Sequence, residues 1–224
     1  MISNSTLKKI IYLKNHFPKL DDKGALLVPT SLKLKDIEFM KYRHLPVNWQ
    51  IRPVTGNDLP SEFSPKAVKL IDLFRRKTIG LTYEVMLIFD YKTGELLYCF
   101  VNDFGESNEI YGNVDEEVFV GKHVATIHNH PKLYESALSS ENFQILELEF
   151  EEYELVSSRN ALWILKSKEM LPEKDIIEIK NSITTLNDYS KMQSHDNERI
   201  YEELLLDYIN NVRFNIELTR RLFK

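Results

Sequence analysis

The sequence has a single cysteine, Cys99, in 224 residues, so a disulfide framework is excluded and the chain suits a reducing compartment. No apolar run approaches the ~18 residues of a membrane-spanning helix. Positive charge is not in excess either, because 29 Lys and Arg stand against 34 Asp and Glu. A general nucleic-acid-binding protein needs a basic face. We therefore expect a cytoplasmic protein that has neither a membrane nor a nucleic acid as its partner.

Hydrophobic residues make up 43% of the chain and aromatic residues 11%, which favours a folded core over disorder. The length suits one enzyme-sized domain with extensions. We predict an N-terminal extension over residues 1–63, a central domain over 64–170 and a helical C-terminal extension over 171–224. Within the N-terminal extension, a helix is expected over 1–20, and the segments 25–29 and 47–54 that follow it are candidates for short strands.

The central domain is expected to begin with a helix and to continue as strands. Pro65 stands at a first helical position and Gly80 is a good stop, so this helix should run from about Ser64 to Thr78. The apolar patterns that follow predict a hairpin over 83–101, strands over 116–121 and 123–128, a helix over 139–153 and a second hairpin over 153–166. This order indicates an α+β fold, an α/β sandwich around one sheet.

Two helices are predicted in the C-terminal extension, over residues 173–186 and 194–223. The second carries an apolar stripe at helical spacing, formed by Tyr201, Leu204, Leu205, Tyr208, Ile209, Val212 and Ile216. Most such stripes pack in a core or in a dimer, and binding of another partner protein is the alternative. A homo-oligomer formed through this helix is therefore one prediction.

His128 and His130 stand two residues apart at the end of an apolar run, and Pro131 closes that run. Residues two apart in an extended chain point to the same side, so the two imidazoles are able to hold one metal ion. Zinc accepts such nitrogen ligands and, in catalytic sites, keeps one of its four positions for water. The spacing therefore predicts a zinc site that needs a third protein ligand from elsewhere.

Two further segments offer the remaining chemistry. Ser139 is a good N-cap for a downstream helix, and Asn142 then falls in its first turn, which is able to fold back toward the histidines. Capping alone is the alternative interpretation of this segment. Glu84 is an acid beside an otherwise apolar strand, where a carboxylate needs a partner. It is a candidate general base for a metal-bound water, or else a strand-end glutamate with an ordinary partner.

The sequence carries, in this order, Glu84 after a helix, a His-Asn-His-Pro run about 40 residues later and a serine-led helix start. This order resembles the JAMM motif of the JAB/MPN metalloprotease family. The resemblance covers about residues 64–166 and is closest to the short prokaryotic and phage-type members. It implies a cytidine-deaminase-like sheet flanked by helices. It also implies that His128 and His130 ligate zinc. By the same resemblance, Glu84 is the general base and acid acting through the zinc-bound water, and Ser139 donates a hydrogen bond to the oxyanion of the tetrahedral intermediate.

The family has an aspartate ligand in a Ser-x-x-Asp pattern, and the sequence departs from it there. With Ser139 as the serine, Asn142 occupies the aspartate position and Phe143 falls on an apolar position of the motif. Keeping the family's usual spacing from the second histidine assigns Glu141 instead, but Leu138 then stands in the serine position. We therefore expect Asn142 to be the third ligand, with Glu141 as the alternative. A neutral amide binds a dication more weakly than a carboxylate does.

Two functions follow from these observations. The first is a zinc-dependent peptidase or isopeptidase that cleaves an amide through a metal-bound water, with a protein or peptide as substrate and a ubiquitin-like protein as one candidate. The second is a catalytically impaired MPN-like module used for protein–protein interaction, which the neutral Asn142 favours.

Overall fold

The computed structural model describes residues 11–13, 19–20, 26–27, 34–39, 52–81, 83–101, 114, 116–130, 138–140, 142–143, 151–169, 171–193, 197–211 and 216–223. Within these ranges lie ten β-strands, three α-helices and short 3-10 turns. None of the described helices combines the length and the apolar character needed to span a lipid bilayer.

Four short strands lie in the N-terminal extension. They are β1 (Ile11–Leu13), β2 (Lys19–Leu20), β3 (Leu26–Leu27) and β4 (Ile37–Phe39). β1 pairs antiparallel with β4, and β2 pairs antiparallel with β3. The predicted helix over 1–20 is therefore wrong at the residues described within it, whereas the strand expected over 25–29 is present at β3. Of the candidate strand over 47–54, the described residues 52–54 form no strand. β-branched and aromatic residues in β1 favour an extended chain, and its partner strand comes from a segment that local periodicity does not reveal.

The first α-helix, α1 (Pro65–Thr78), confirms its prediction. Ser64 caps it, because Ser64 Oγ accepts a hydrogen bond from the Ala67 backbone N–H at 3.2 Å. Proline at the first helical position leaves no donor unsatisfied there. Just past the helix, Gly80 has a φ of 81°, a left-handed conformation that glycine reaches without strain. Local signals therefore define both ends of α1.

One six-stranded sheet forms the centre of the fold. Its strands are β5 (Val85–Asp90), β6 (Glu95–Val101), β7 (Val124–Asn129), β8 (Glu151–Ser157), β9 (Ala161–Ser167) and β10 (Ile216–Leu222). Their spatial order is β10-β9-β8-β7-β5-β6, and every neighbouring pair is antiparallel except β7 and β8, which are parallel. Both predicted hairpins, the strand predicted over 123–128 and the mixed α+β class are confirmed.

Helices cover both faces of this sheet. On one face, α1 packs through apolar side chains such as Ile71 against Leu87 and its neighbours. On the other face lie α2 (Glu173–Gln193) and α3 (Asn197–Asn211), whose buried side chains share a core with Trp163 of β9. The central strands are consequently buried on both sides, and β7 is buried along its whole length.

Two predicted elements of the central domain are wrong. The segment predicted as a strand over 116–121 forms a 3-10 helix at Glu116–Phe119. The helix predicted over 139–153 fails at its end, because β8 already begins at Glu151, and at its start the described residues form only a 3-10 turn. The many glutamates before and within β8 suit the polar face of a helix, but pairing with β7 and β9 determines the extended conformation.

The prediction of a wholly helical C-terminal extension is wrong, because β10 follows α3 within the helix expected over 194–223. β10 pairs with β9, with Leu218 opposite Leu165, and Asn210 of α3 bonds both the N–H and the C=O of Leu218 at 3.2 and 3.1 Å. Ile216 and Leu218 are buried while Glu217 is exposed, which is the period of two of a strand. The division of the chain at 63/64 and 170/171 stays a prediction, although the C-terminal extension contributes a strand to the central sheet.

Replacing Ile179 with alanine tests the packing of α2 on the sheet. Ile179 is 0% exposed, whereas Ile177, in the same helix, is 50% exposed. We expect Ile179→Ala to lower the free energy of unfolding by ~2–5 kcal/mol, because it leaves a cavity, and Ile177→Ala to lower it by well under ~1 kcal/mol. Urea unfolding followed by circular dichroism measures both values. Equal losses in the two variants would contradict the packing described.

Candidate metal centre

His128 and His130 stand at the end of β7, where the chain leaves the sheet. His128 is buried and His130 is half-buried. The centroids of the two imidazoles lie 5.3 Å apart. The His130 backbone N–H donates to the Ser157 carbonyl of β8 at 3.1 Å, so the chain stays joined to the sheet at this point. Both rings lie on the same side of the strand, as the alternation of an extended chain requires.

Glu84 reaches the same place from the neighbouring strand. It directly precedes β5 and is 4% exposed. β5 and β7 pair antiparallel with Met86 opposite His128, and continuing that register by two residues brings Glu84 opposite His130. One ligand atom from each of Glu84, His128 and His130 lies within 4.8 Å of the others. We call these three residues the His–Glu group. Over the described ranges of the chain, it is the one cluster of three or more His, Cys, Asp and Glu side chains with this spacing.

Asn142 approaches the His–Glu group from the 3-10 turn. Its Nδ2 lies 3.0 Å from His128 Nε2. Its Oδ1 accepts hydrogen bonds from the Ser139 backbone N–H at 2.7 Å and from Ser139 Oγ at 3.3 Å. The structure thus brings Asn142 into contact with His128 and Ser139 into contact with Asn142. Glu141, the alternative ligand, lies outside the described residues.

Helix α3 holds this turn against the sheet. Phe143 is fully buried in the core beneath α2 and α3. Tyr201 Oη, from α3, donates to the Leu138 carbonyl at 2.5 Å. Because Leu138 directly precedes Ser139, the C-terminal extension fixes the segment that carries Ser139 and Asn142.

Two buried carboxyl groups of β8 lie in this region, Glu154 beside His128 and Glu151 near Glu154, and neither belongs to the predicted set. Glu154 Oε1 lies 3.4 Å from His128 Nδ1 and 3.5 Å from Asn142 Nδ2. Glu151 accepts a short hydrogen bond from Thr126 Oγ1. The only sequence signal for them is their place in an acidic run, and such a run is equally typical of the solvent face of a helix.

The surroundings of His128 determine its protonation state. Burial, and secondarily the charge of His130, hold the pKa of His128 well below its usual value, so the ring is neutral at pH 7. Because the Asn142 amide donates to Nε2, the ring proton belongs on Nδ1, which faces Glu154. This is the tautomer whose Nε2 lone pair is able to bind a metal.

These donors fit a zinc ion. Imidazole nitrogen together with carboxylate or amide oxygen suits a borderline metal such as Zn²⁺. A carboxylate beside the second ring nitrogen is also the usual companion of a metal-binding histidine, and Glu154 occupies that position for His128. Zinc bound at His128 Nε2 would keep the Glu154 partner of Nδ1 and would displace the Asn142 N–H from Nε2.

Comparison of the chain with protein-family models, with curated proteins and with solved structures finds no match. Similarity therefore assigns no family to the chain. The chemistry of the site rests on the geometry of the His–Glu group and of Asn142.

The stability of the metal-free protein should depend on pH through Glu151. Burial raises the pKa of this carboxyl from 4.5 to about 8, and burial and the charge of Glu151 raise that of Glu154 as well. The folded state therefore keeps a proton that the unfolded state loses. It follows that the contribution of Glu151 to stability is full below pH about 4.5 and is lost as the pH rises through about 8, whereas the lowered pKa of His128 reduces stability as the pH falls below its usual value of 6.5.

Glu151→Gln should reduce the change in the free energy of unfolding with pH by a few kcal/mol. The reason is that the amide keeps an acceptor for the Thr126 hydroxyl and cannot ionise. Urea unfolding of chelator-treated protein across the range from about pH 5 to about pH 8 measures it. Glu178→Gln, at an exposed position of α2, is the control. A pH dependence that is the same in native protein and Glu151→Gln would contradict a buried proton on Glu151.

Proposed function

We propose that the chain is a zinc-dependent hydrolase that cleaves an amide bond of a protein or peptide, a peptidase or isopeptidase with the fold of the JAB/MPN metalloproteases. The observation that carries this proposal is the convergence of Glu84, His128 and His130 within 4.8 Å. The order of the motif residues along the chain agrees with it. So does a mixed sheet in which a helix, α1, immediately precedes the strand that follows Glu84.

His128 and His130 would hold the zinc ion, with Asn142 as the third protein ligand and Glu141 as the alternative. When bound, zinc supplies Lewis-acid activation of a water molecule and of the scissile carbonyl. Glu154 supports His128 in this role, because its Oε1 faces Nδ1–H and so keeps the lone pair on Nε2.

Glu84 is the proton carrier of the proposed reaction. Its buried carboxylate beside the two imidazoles takes the proton of the attacking water and delivers it to the leaving amine. Ser139 donates a hydrogen bond from its hydroxyl to the oxyanion that develops on the carbonyl of the substrate. The hydroxyl donates to Asn142 Oδ1 in the structure, so it exchanges this bond for the one to the substrate.

A non-catalytic interaction module is the second candidate, and Asn142 favours it. The neutral amide does not supply the negative charge of the family's aspartate, and its Oδ1 already accepts two hydrogen bonds from Ser139. For Oδ1 to bind a metal ion, the amide has to exchange or share these bonds. A fold that is retained without catalysis leaves protein binding as the function of the chain.

The proposed partners follow from the proposed reaction. The substrate is a protein or peptide, with a ubiquitin-like protein as one candidate, and neither a nucleic acid nor a membrane is a proposed partner.

The cytoplasm is the proposed location because Cys99 is a buried free thiol that needs no oxidising compartment. Self-association through α3, the C-terminal helix, stays a prediction. Leu205 and Ile209 of its apolar stripe are buried in the chain's own core.

Glu84→Gln separates proton transfer from metal binding. We expect this variant to keep zinc and to lose ~10²–10⁴-fold in hydrolysis, because an amide does not accept the proton. His128→Ala should lose zinc, because it removes a ligand. Metal analysis of protein purified without chelator measures the first property, and cleavage of quenched fluorescent peptides and isopeptide-linked conjugates measures the second. Loss of zinc in Glu84→Gln would make Glu84 a ligand. Equal zinc in native protein and His128→Ala would refute the site.

Asn142→Asp tests the third ligand. It should tighten zinc binding, because it restores an anionic oxygen to a dication, while Glu141→Ala should leave zinc affinity nearly unchanged. Competition with a chromophoric chelator measures both affinities. The reverse pattern would assign Glu141 as the ligand. Affinity that neither change alters would exclude the turn from the site and favour the non-catalytic module.

A further inference from the structure

Asn129, the residue between the two histidines, points to the opposite side of β7 and is 2% exposed. Its side chain spans the segment that carries Glu84. Asn129 Oδ1 accepts a hydrogen bond from the Val85 backbone N–H at 2.8 Å, and Asn129 Nδ2 donates to the Tyr83 carbonyl at 3.1 Å. One side chain therefore holds the backbone on both sides of Glu84.

These hydrogen bonds lie where the ladder between β5 and β7 stops. The last paired residues are Met86 and His128, so the next antiparallel partners would be Val85 and Asn129. At this position the Asn129 side chain takes the place of a backbone partner. The two strands consequently stay joined at the point where the Glu84 segment leaves the sheet.

We propose that Asn129 is a positioning residue that directs the Glu84 carboxylate toward His128 and His130. The position of Glu84 is argued from the two hydrogen bonds of Asn129, and the importance of that position for catalysis rests on the proposed function. An amide suits this role because it donates and accepts at once, and so matches one carbonyl and one N–H. Both bonds are buried, so removing the side chain leaves two backbone groups unpaired and releases the segment. A misplacement of about 1 Å in a catalytic group can lower a rate by ~10²-fold.

A merely structural asparagine would stabilise the end of the strand without directing Glu84, and two variants distinguish these roles. Asn129→Leu has a similar size and removes both hydrogen bonds. Asn129→Asp keeps the acceptor for the Val85 N–H and removes the donor for the Tyr83 carbonyl. Ile127→Val, a buried change in the same strand, is the matched control, because it lowers stability and leaves both hydrogen bonds of Asn129 in place.

The first readout is the crystal structure of each variant in metal-free form. We expect the Glu84 carboxylate to move beyond 4.8 Å from the ring nitrogens in Asn129→Leu, to move part of that way in Asn129→Asp, and to stay in place in Ile127→Val. An unmoved carboxylate in both Asn129 variants overturns the proposal. If Asn129→Leu does not fold, Asn129→Asp decides by the same criterion.

The second readout uses Co²⁺ in place of zinc, because the visible absorption of Co²⁺ reports on the groups around it. We expect the pH dependence of this spectrum in Asn129→Leu to match that in Glu84→Gln. In cleavage of the quenched fluorescent peptides, we expect kcat of Asn129→Leu to fall ~10²-fold with KM unchanged. A spectrum and a kcat like those of Ile127→Val overturn the proposal. A native chain that binds no Co²⁺ refutes the proposed function, while the position of Glu84 in the crystals still decides the role of Asn129.

Discussion

The antiparallel pairing of β5 with β7 is the interaction on which the candidate site depends. Glu84 and the histidines lie far apart in sequence, and only the register with Met86 opposite His128 brings their side chains together. The remaining parts attach to this pair of strands. β8 runs parallel to β7 and brings Glu154 beside His128, and the connection between these two strands brings Asn142. Helices on both faces then exclude water from the interior side of the group.

Burial of so many ionisable groups in one corner has an energetic consequence. Glu84, Glu151 and Glu154 are all buried, and Glu154 lies beside the His128 imidazole. Lost solvation raises the pKa of Glu151, and lost solvation together with repulsion by Glu151 and Glu84 raises that of Glu154. Protons relieve this repulsion, and a bound dication would relieve it as well. Proton binding and metal binding at this corner are therefore coupled.

Local signals predict much of the fold, and pairing decides what they miss. Capping and stop residues mark both ends of α1, and apolar runs on both sides of a turn mark both hairpins. β10 is missed because its apolar residues continue the pattern of the preceding helix, and pairing with β9 determines its conformation. The motif in the sequence predicts the members of the His–Glu group. It does not predict the roles of Glu154 and Asn129, because each role depends on which strand becomes a neighbour.

The Asn129 side chain has a further effect on how the sheet forms. A strand that slips by one residue against its neighbour turns every side chain to the opposite face. Such a slip of β7 would direct His128 and His130 into the apolar core beneath α1 and bring Ile127 and Asn129 to the other face. The two hydrogen bonds of Asn129 form in one alignment only. They therefore favour the native alignment over its nearest competitors while the chain folds, so that correct strand alignment and assembly of the site are a single event.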